Sequence, residues 1–256
     1  MSESVFIWVM VALLGLIFGS FATLVSHRLV AGGSIAIARS RCPACATPLG
    51  VRDLIPLLSW LLAHGTCRHC HAPIHWRYPV IEAATLVLFL LVFWQTGVTA
   101  EFIILALLAT CLVIMATVDF EHRIIPDEIQ LAMAVLGILH QFAILHTTVA
   151  EPLAGLLAGL FLGMALQKGY KWVRGRDGLG TGDVKFLCVA GIWLGVPGLV
   201  PLMLLSGLLG IVTALLWRAF GKGEYFPFGP ALGMATFLLV LFPEILPFFW
   251  HQRSLP

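Results

Sequence analysis

Two carboxylates interrupt an otherwise apolar sequence. Asp119 closes an apolar run in Ala116-Thr117-Val118-Asp119, and Asp183 opens another in Gly180-Thr181-Gly182-Asp183-Val184-Lys185. A carboxylate at membrane depth is costly and marks a functional position when it occurs. Two such groups held close together cannot both ionise easily, so they share one proton. The ionised member can take a proton from water as the water attacks an amide carbonyl. The protonated member can hydrogen-bond the carbonyl oxygen and then help protonate the leaving amine. Gly180 and Gly182 have no side chains, so backbone and substrate could approach Asp183 closely, with Lys185 in the same loop. The pair lies 64 residues apart, so only tertiary structure can join it. Other roles fit the same residues. Asp183 could cap the helix it begins, and Asp119 could pair with Arg123 or Lys185.

A second constellation is sulfur-based. Cys42 and Cys45 form one C-x-x-C, Cys67 and Cys70 a second, about 20 residues apart as in a four-thiolate zinc site. Each tight turn offers two tetrahedral corners. Four thiolates leave no open position, so the expected zinc is structural, a staple for a segment too short to build its own core. Redox-active thiols are the alternative. His64, His69, His71 and His75 lie nearby and are read as surface residues. Cys111 and Cys188 fall inside apolar runs and are read as small buried residues.

The elements that must position these groups are membrane spans. Of 256 residues, 60% are hydrophobic and 11% charged, with a mean hydropathy of +0.98. A soluble domain has about a quarter charged residues. Runs of about 20 apolar residues, enough to cross a bilayer core, predict eight helices at roughly 5–25, 79–97, 101–118, 128–147, 151–168, 184–196, 198–217 and 230–250. The sixth is short and glycine-containing, and so tilted or partly re-entrant. The first lacks the charged n-region and cleavage site of a signal peptide and reads as a retained span. The expected class is an all-α polytopic membrane protein with a small four-cysteine module. It divides into a first span (1–26), the module (27–78) and a seven-span region (79–256).

Basic residues fix the orientation. Arg28, Arg39, Arg41, Arg52, Arg68, Arg77, Arg123, Lys168, Lys171, Arg174, Arg176, Lys185, Arg218 and Lys222 fall on one side of the eight spans and Arg253 on the other. Basic loops stay in the cytoplasm, which puts both ends of the chain outside and the module and both aspartates inside. Trp8, Trp94 and Trp250 suit an interfacial belt. The net charge of +2 gives no case for nucleic acid. No internal repeat stands out.

In their order the motifs resemble the prepilin peptidases, or type IV leader peptidases. The likeness runs from Gly19-Ser20-Phe21 and His27-Arg28-Leu29 through the two cysteine pairs, Ile55-Pro56-Leu57-Leu58-Ser59-Trp60 and Trp76-Arg77-Tyr78-Pro79 with Glu82. It continues with Asp119, Ile125-Pro126-Asp127, Gly180 to Lys185, and Pro227-Phe228-Gly229-Pro230. The resemblance implies a bacterial inner-membrane aspartic endopeptidase with Asp119 and Asp183 as its catalytic pair. Its substrates would be type IV prepilins and type II secretion pseudopilins, cut at the cytoplasmic face between a basic leader and a Phe-led apolar helix. It further implies N-methylation of the new terminus with S-adenosylmethionine. Thr23 departs from the asparagine usual there, exchanging an amide for a hydroxyl. Glu82 could hold a substrate amine or the cofactor, or could simply suit a helix start. Asp127 is read as the cap of the fourth span, and His140 and His146 as packing or interfacial residues. Two rival classes remain. A proton-coupled transporter would want carboxylates near the midplane beside broken helices. A non-catalytic scaffold would use the zinc module alone.

Overall fold

The computed structural model describes residues 3–32, 40–175, 178–219 and 226–245. Arg39, Arg176, Lys222, Trp250, Arg253 and the end of the eighth expected span lie outside the described residues. The chain forms two compact units, Met1–Phe102 and Ile103–Pro256. Its architecture is all-α. Among the described residues there is no sheet, only two isolated bridges.

In the first unit α1 (Glu3–Ala31) packs along α3 (Arg77–Thr96). Glycine makes this approach possible. A Cβ on Gly19 would stand 2.7 Å from the Cα of Glu82, and one on Gly15 2.9 Å from that of Leu86. Pro79 sits in the first turn of α3, where no helical hydrogen bond needs its missing N–H. Among its described residues the module between the two helices carries a 3-10 turn, Val51–Asp53, and a short helix, α2 (Leu58–Leu62).

The second unit contains most of α4 (Ala100–His122), then α5 (Asp127–Ala143), α6 (Ala150–Arg174), α7 (Thr181–Ala219) and α8 (Gly229–Leu241). Helix α7 packs against α5, α6 and α8. Along α6, Gly155, Gly159 and Gly163 face Gly191, Leu187 and Val184 of α7. A Cβ on Gly155 would overlap the Gly191 carbonyl, and one on Gly159 the Leu187 carbonyl. Small residues let membrane helices meet in this way and gain van der Waals contact where no hydrophobic drive separates protein from lipid.

Among the described residues five helices are long and apolar enough to cross a membrane: α1, α3, α4, α6 and α7. Helix α5 has 17 residues and α8 has 13. The expected sixth and seventh spans are the two helical halves of α7, which meet at a break at Gly195, where φ is 66° and ψ −179°. That φ suits glycine alone. Pro197, two residues on, has no N–H for the Trp193 carbonyl. The side chain of Gln141 on α5 takes over, its Nε2 donating to the carbonyls of Ile192 at 2.7 Å and Trp193 at 3.1 Å. His140 is buried and tilted against the Trp193 ring, 5.2 Å between centroids, a packing residue.

Candidate functional site

The cysteine module is built from two copies of one turn. Cys42-Pro43-Ala44-Cys45-Ala46-Thr47-Pro48 and Cys67-Arg68-His69-Cys70-His71-Ala72-Pro73 share C-x-x-C-x-x-P. The first cysteine of each donates its N–H five residues on, to Thr47 or Ala72, and accepts that of the residue four on, Ala46 or His71. Ala46 and His71 both have φ of 57°. Bridges between Arg41 and Pro48 and between Thr66 and Pro73 close each turn. The repeat escaped the sequence reading because only three residues in seven are shared.

Together the turns bring the Sγ atoms of Cys42, Cys45, Cys67 and Cys70 within 4.8 Å of one another, with Cys42 and Cys70 3.9 Å apart. Tetrahedral zinc at about 2.3 Å from each sulfur needs sulfurs about 3.8 Å apart, so the donor set fits a four-thiolate metal. All six cysteines are free thiols. Hydrogen bonds in the turns lower two of the four thiols, while Cys70, despite the Ala72 N–H, is raised to about 11 by burial and the neighbouring sulfurs. The hydroxyl and backbone N–H of Thr47 hold the Cys45 thiol down to about 6, and the N–H groups of Cys70 and His69 lower that of Cys67. His64, His69, His71 and His75 are exposed and outside the cluster. Cys111 and Cys188 are half-buried within α4 and α7 and likewise take no part in it.

Glu82 is buried in α3 and accepts the Leu57 N–H at 2.7 Å. Leu57 has φ of 59°, a costly conformation for a residue with a side chain, so the carboxylate secures a strained turn. The Thr23 hydroxyl is spent within α1, donating to the Gly19 carbonyl at 2.9 Å. Ser26 donates to the Thr23 carbonyl and accepts a guanidinium N–H of Arg77 at 3.1 Å.

In the second unit the aspartates come together. Asp119, in the last turn of α4, is buried and accepts the Gly229 N–H on Oδ2 at 2.8 Å. Asp183, in the first turn of α7, accepts the Gly180 N–H on Oδ2 at 3.2 Å. The carboxylates are near enough to interact electrostatically. Each commits Oδ2 to a backbone donor, and no other hydrogen bond to either carboxylate is found among the described residues. Asp183 is not the cap of α7 but its third residue, and its carboxylate reaches back to the N–H of Gly180, which holds the cap position. The alternative partners of Asp119 are not found among the described residues. Lys185 instead grips both oxygens of Asp127 at 2.7 Å, tying α7 to α5. Asp127 is the first residue of α5 and makes this bridge rather than a cap, which falls to Pro126 with no side-chain hydrogen bond.

The glycines around the pair have distinct duties. A Cβ on Gly180 would stand 3.2 Å from Asp183 Oδ2, and one on Gly182 3.3 Å from Ile125. Gly229, for which sequence reasoning had no role, is the tightest. A Cβ there would lie 2.6 Å from Asp119 Oδ2 and 2.9 Å from its Cγ. The signal was its place in Pro227-Phe228-Gly229-Pro230, with nothing to say what it faced.

Comparison with known proteins points one way. Residues 13–96 match the bacterial peptidase A24 N-terminal domain, and residues 106–215 the type IV leader peptidase family. The chain is 35% identical to a prepilin leader peptidase/N-methyltransferase of Neisseria gonorrhoeae, over 78% of this chain and 70% of that one. With the protein of the same description from Aeromonas hydrophila it shares 32% over 82% and 74%. With that of Pseudomonas aeruginosa it shares 31% over 91% and 89%. No solved structure matches.

Proposed function

The chain belongs to the type IV leader peptidase family, and on that premise we propose that Asp119 and Asp183 are the dyad with which it cuts prepilins. The observation that carries this reading is the meeting of the two carboxylates at the end of α4 and the start of α7, each anchored through Oδ2. One member, ionised, removes a proton from water while the water oxygen bonds to the scissile carbonyl carbon. The other, protonated, donates to the carbonyl oxygen. On collapse the C–N bond breaks, the amine takes the proton that the first aspartate removed from water, and the second aspartate recovers its own from the gem-diol hydroxyl as the carbonyl re-forms. Gly180, just before α7, adds no side chain beside Asp183 and leaves room for an extended substrate backbone, while Lys185 fixes the start of α7 through Asp127.

The substrates are type IV prepilins and type II secretion pseudopilins. Their basic leader is removed and the exposed Phe is N-methylated. S-adenosylmethionine, when bound, supplies the electrophilic methyl group for that second step. Glu82, with the Leu57 turn it holds, is our candidate for organising that site. Zinc held by Cys42, Cys45, Cys67 and Cys70 would brace the module. The first span and module serve methyl transfer, the spans after residue 79 cleavage. The protein crosses the bacterial inner membrane eight times, with module and dyad at the cytoplasmic side, as the basic loops require.

A transporter reading has no comparable support. The break in α7 is twelve residues from Asp183, about 18 Å along a helix at 1.5 Å per residue, so the carboxylates do not lie at the break. The test is mass spectrometry of a purified prepilin incubated with the protein in lipid, with and without S-adenosylmethionine. Loss of the leader in both, and a methyl mass only with the cofactor, is expected. An uncut substrate would overturn the dyad.

A further inference from the structure

Between its two cysteine turns the module carries a stretch with its apolar side chains turned outward. Val51 is 84% exposed, Leu62 72%, Leu61 58%, Leu58 55%, and Leu54 and Ile55 43% each. Trp60 anchors this finger. Its indole N–H donates to the Ile74 carbonyl at 3.2 Å, and its ring lies 3.0 Å from where a Cβ on Gly65 would stand. The outward leucines are thus held by a defined turn. An exposed cluster of six large aliphatic residues marks a surface that meets something other than water.

Its surroundings say what. The segment leaves one apolar helix, α1, and enters another, α3, so a membrane holds it at both ends. Trp76 and Tyr78, at the re-entry, are 57% and 37% exposed, residue types that settle at the headgroup level. Residues 40–76 contain Arg41, Arg52 and Arg68 against the single acid Asp53, and all three arginines are exposed. Arg68 pairs with Asp53 at 3.4 Å, so the excess is basic. Outward leucines with a basic excess are the composition of a segment lying in the plane of an anionic leaflet.

We propose that the finger Val51–Leu62 lies at the boundary of headgroups and acyl chains, with Arg41 and Arg52 on anionic headgroups, and so holds the cysteine module against the bilayer surface.

The test uses the full chain in nanodiscs of phosphatidylglycerol and phosphatidylethanolamine. One sample is photolabelled with a phospholipid carrying a diazirine near the glycerol end of its acyl chain, another with a water-soluble diazirine. Adducts are mapped by mass spectrometry. Residues 51–62 should carry at least about fivefold more lipid adducts than His69 and His71 on the same module, and about fivefold fewer aqueous ones. The double variant Leu61→Glu, Leu62→Glu should lose those lipid adducts with the proteolytic pattern of the module unchanged. Replacing phosphatidylglycerol with phosphatidylcholine should at least halve them. Aqueous labelling equal to that of the two histidines would put the finger in water. Protection from both probes would put it under protein, of this chain or of a substrate. Either result overturns the proposal in the wild-type chain, whatever the variant does.

Discussion

Replacing Gly229 with alanine puts a methyl group where the Asp119 carboxylate now sits. The new Cβ would stand 2.6 Å from Oδ2 and 2.9 Å from Cγ, whereas non-bonded carbons are comfortable at about 3.5–4.0 Å. Either the carboxylate or the start of α8 must give way by roughly 0.6–1 Å. Both movements strain the 2.8 Å hydrogen bond from the Gly229 N–H, and a bond to a charged group contributes about 1.5–3 kcal/mol. A displacement of about 1 Å at a reacting group costs about a hundredfold in rate, or about 2.7 kcal/mol. The two routes agree, so Gly229→Ala should slow cleavage about a hundredfold. Overpacking should cost about 1–3 kcal/mol of stability, not enough by itself to abolish insertion. The assay is single-turnover cleavage of a prepilin in nanodiscs, with methyl transfer to an already mature pilin followed in parallel. A cleavage rate within about threefold of wild type, from a folded variant, would refute the assignment of Gly229 as the support of Asp119.

Four further expectations follow from the same geometry. Asp119→Asn and Asp183→Asn should each abolish leader removal while the protein remains inserted, and wild-type turnover in either would sink the dyad. Cys42→Ser should lower bound zinc, measured by elemental analysis, and expose the module to proteolysis, whereas unchanged stoichiometry would argue against this ligand set. Glu82→Ala leaves the Leu57 N–H without its acceptor and should reduce methyl transfer more than cleavage; equal loss of both would remove Glu82 from the methyl-transfer site. Gln141→Leu strips the carbonyls of Ile192 and Trp193 of their donor and should destabilise the protein by about 1–3 kcal/mol, read as a lower unfolding temperature in detergent.

What the sequence disclosed depended on how local each signal was. The thiol cluster was legible because C-x-x-C places two ligands within one turn. The spans were legible from hydropathy, yet their ends were not. Helix α6 runs to Arg174, past the expected end at 168, because Lys168, Lys171 and Arg174 end the apolar run without ending the helix. The dip at Gly195 and Pro197 read as a break between two spans, and the backbone does leave helical geometry at Gly195; what was not visible is that Gln141 satisfies the freed carbonyls from another helix. That Asp183 would bond backbone at the start of its helix was visible locally. The exclusion of Lys185 from the carboxylate pair was not, because it depends on Asp127, 58 residues away. Gly229 lay beyond reach for the same reason, its constraint being set by a side chain 110 residues distant.

The glycine seam between α6 and α7 bears on how this protein can diverge. At Gly155, Gly159 and Gly191 the space for a side chain is already filled by the backbone of the facing helix. A substitution cannot be absorbed by choosing another rotamer, since the obstacle is main chain. Leu153, Leu157 and Phe161, exposed on the same helix, face no main chain and can exchange with other apolar residues at little cost. Inheritance along α6 should therefore run at two speeds, with drift on the lipid face and near-complete fixation along the seam. A saturation library of this helix, selected for pilus assembly, would print that alternation as a period of about four residues.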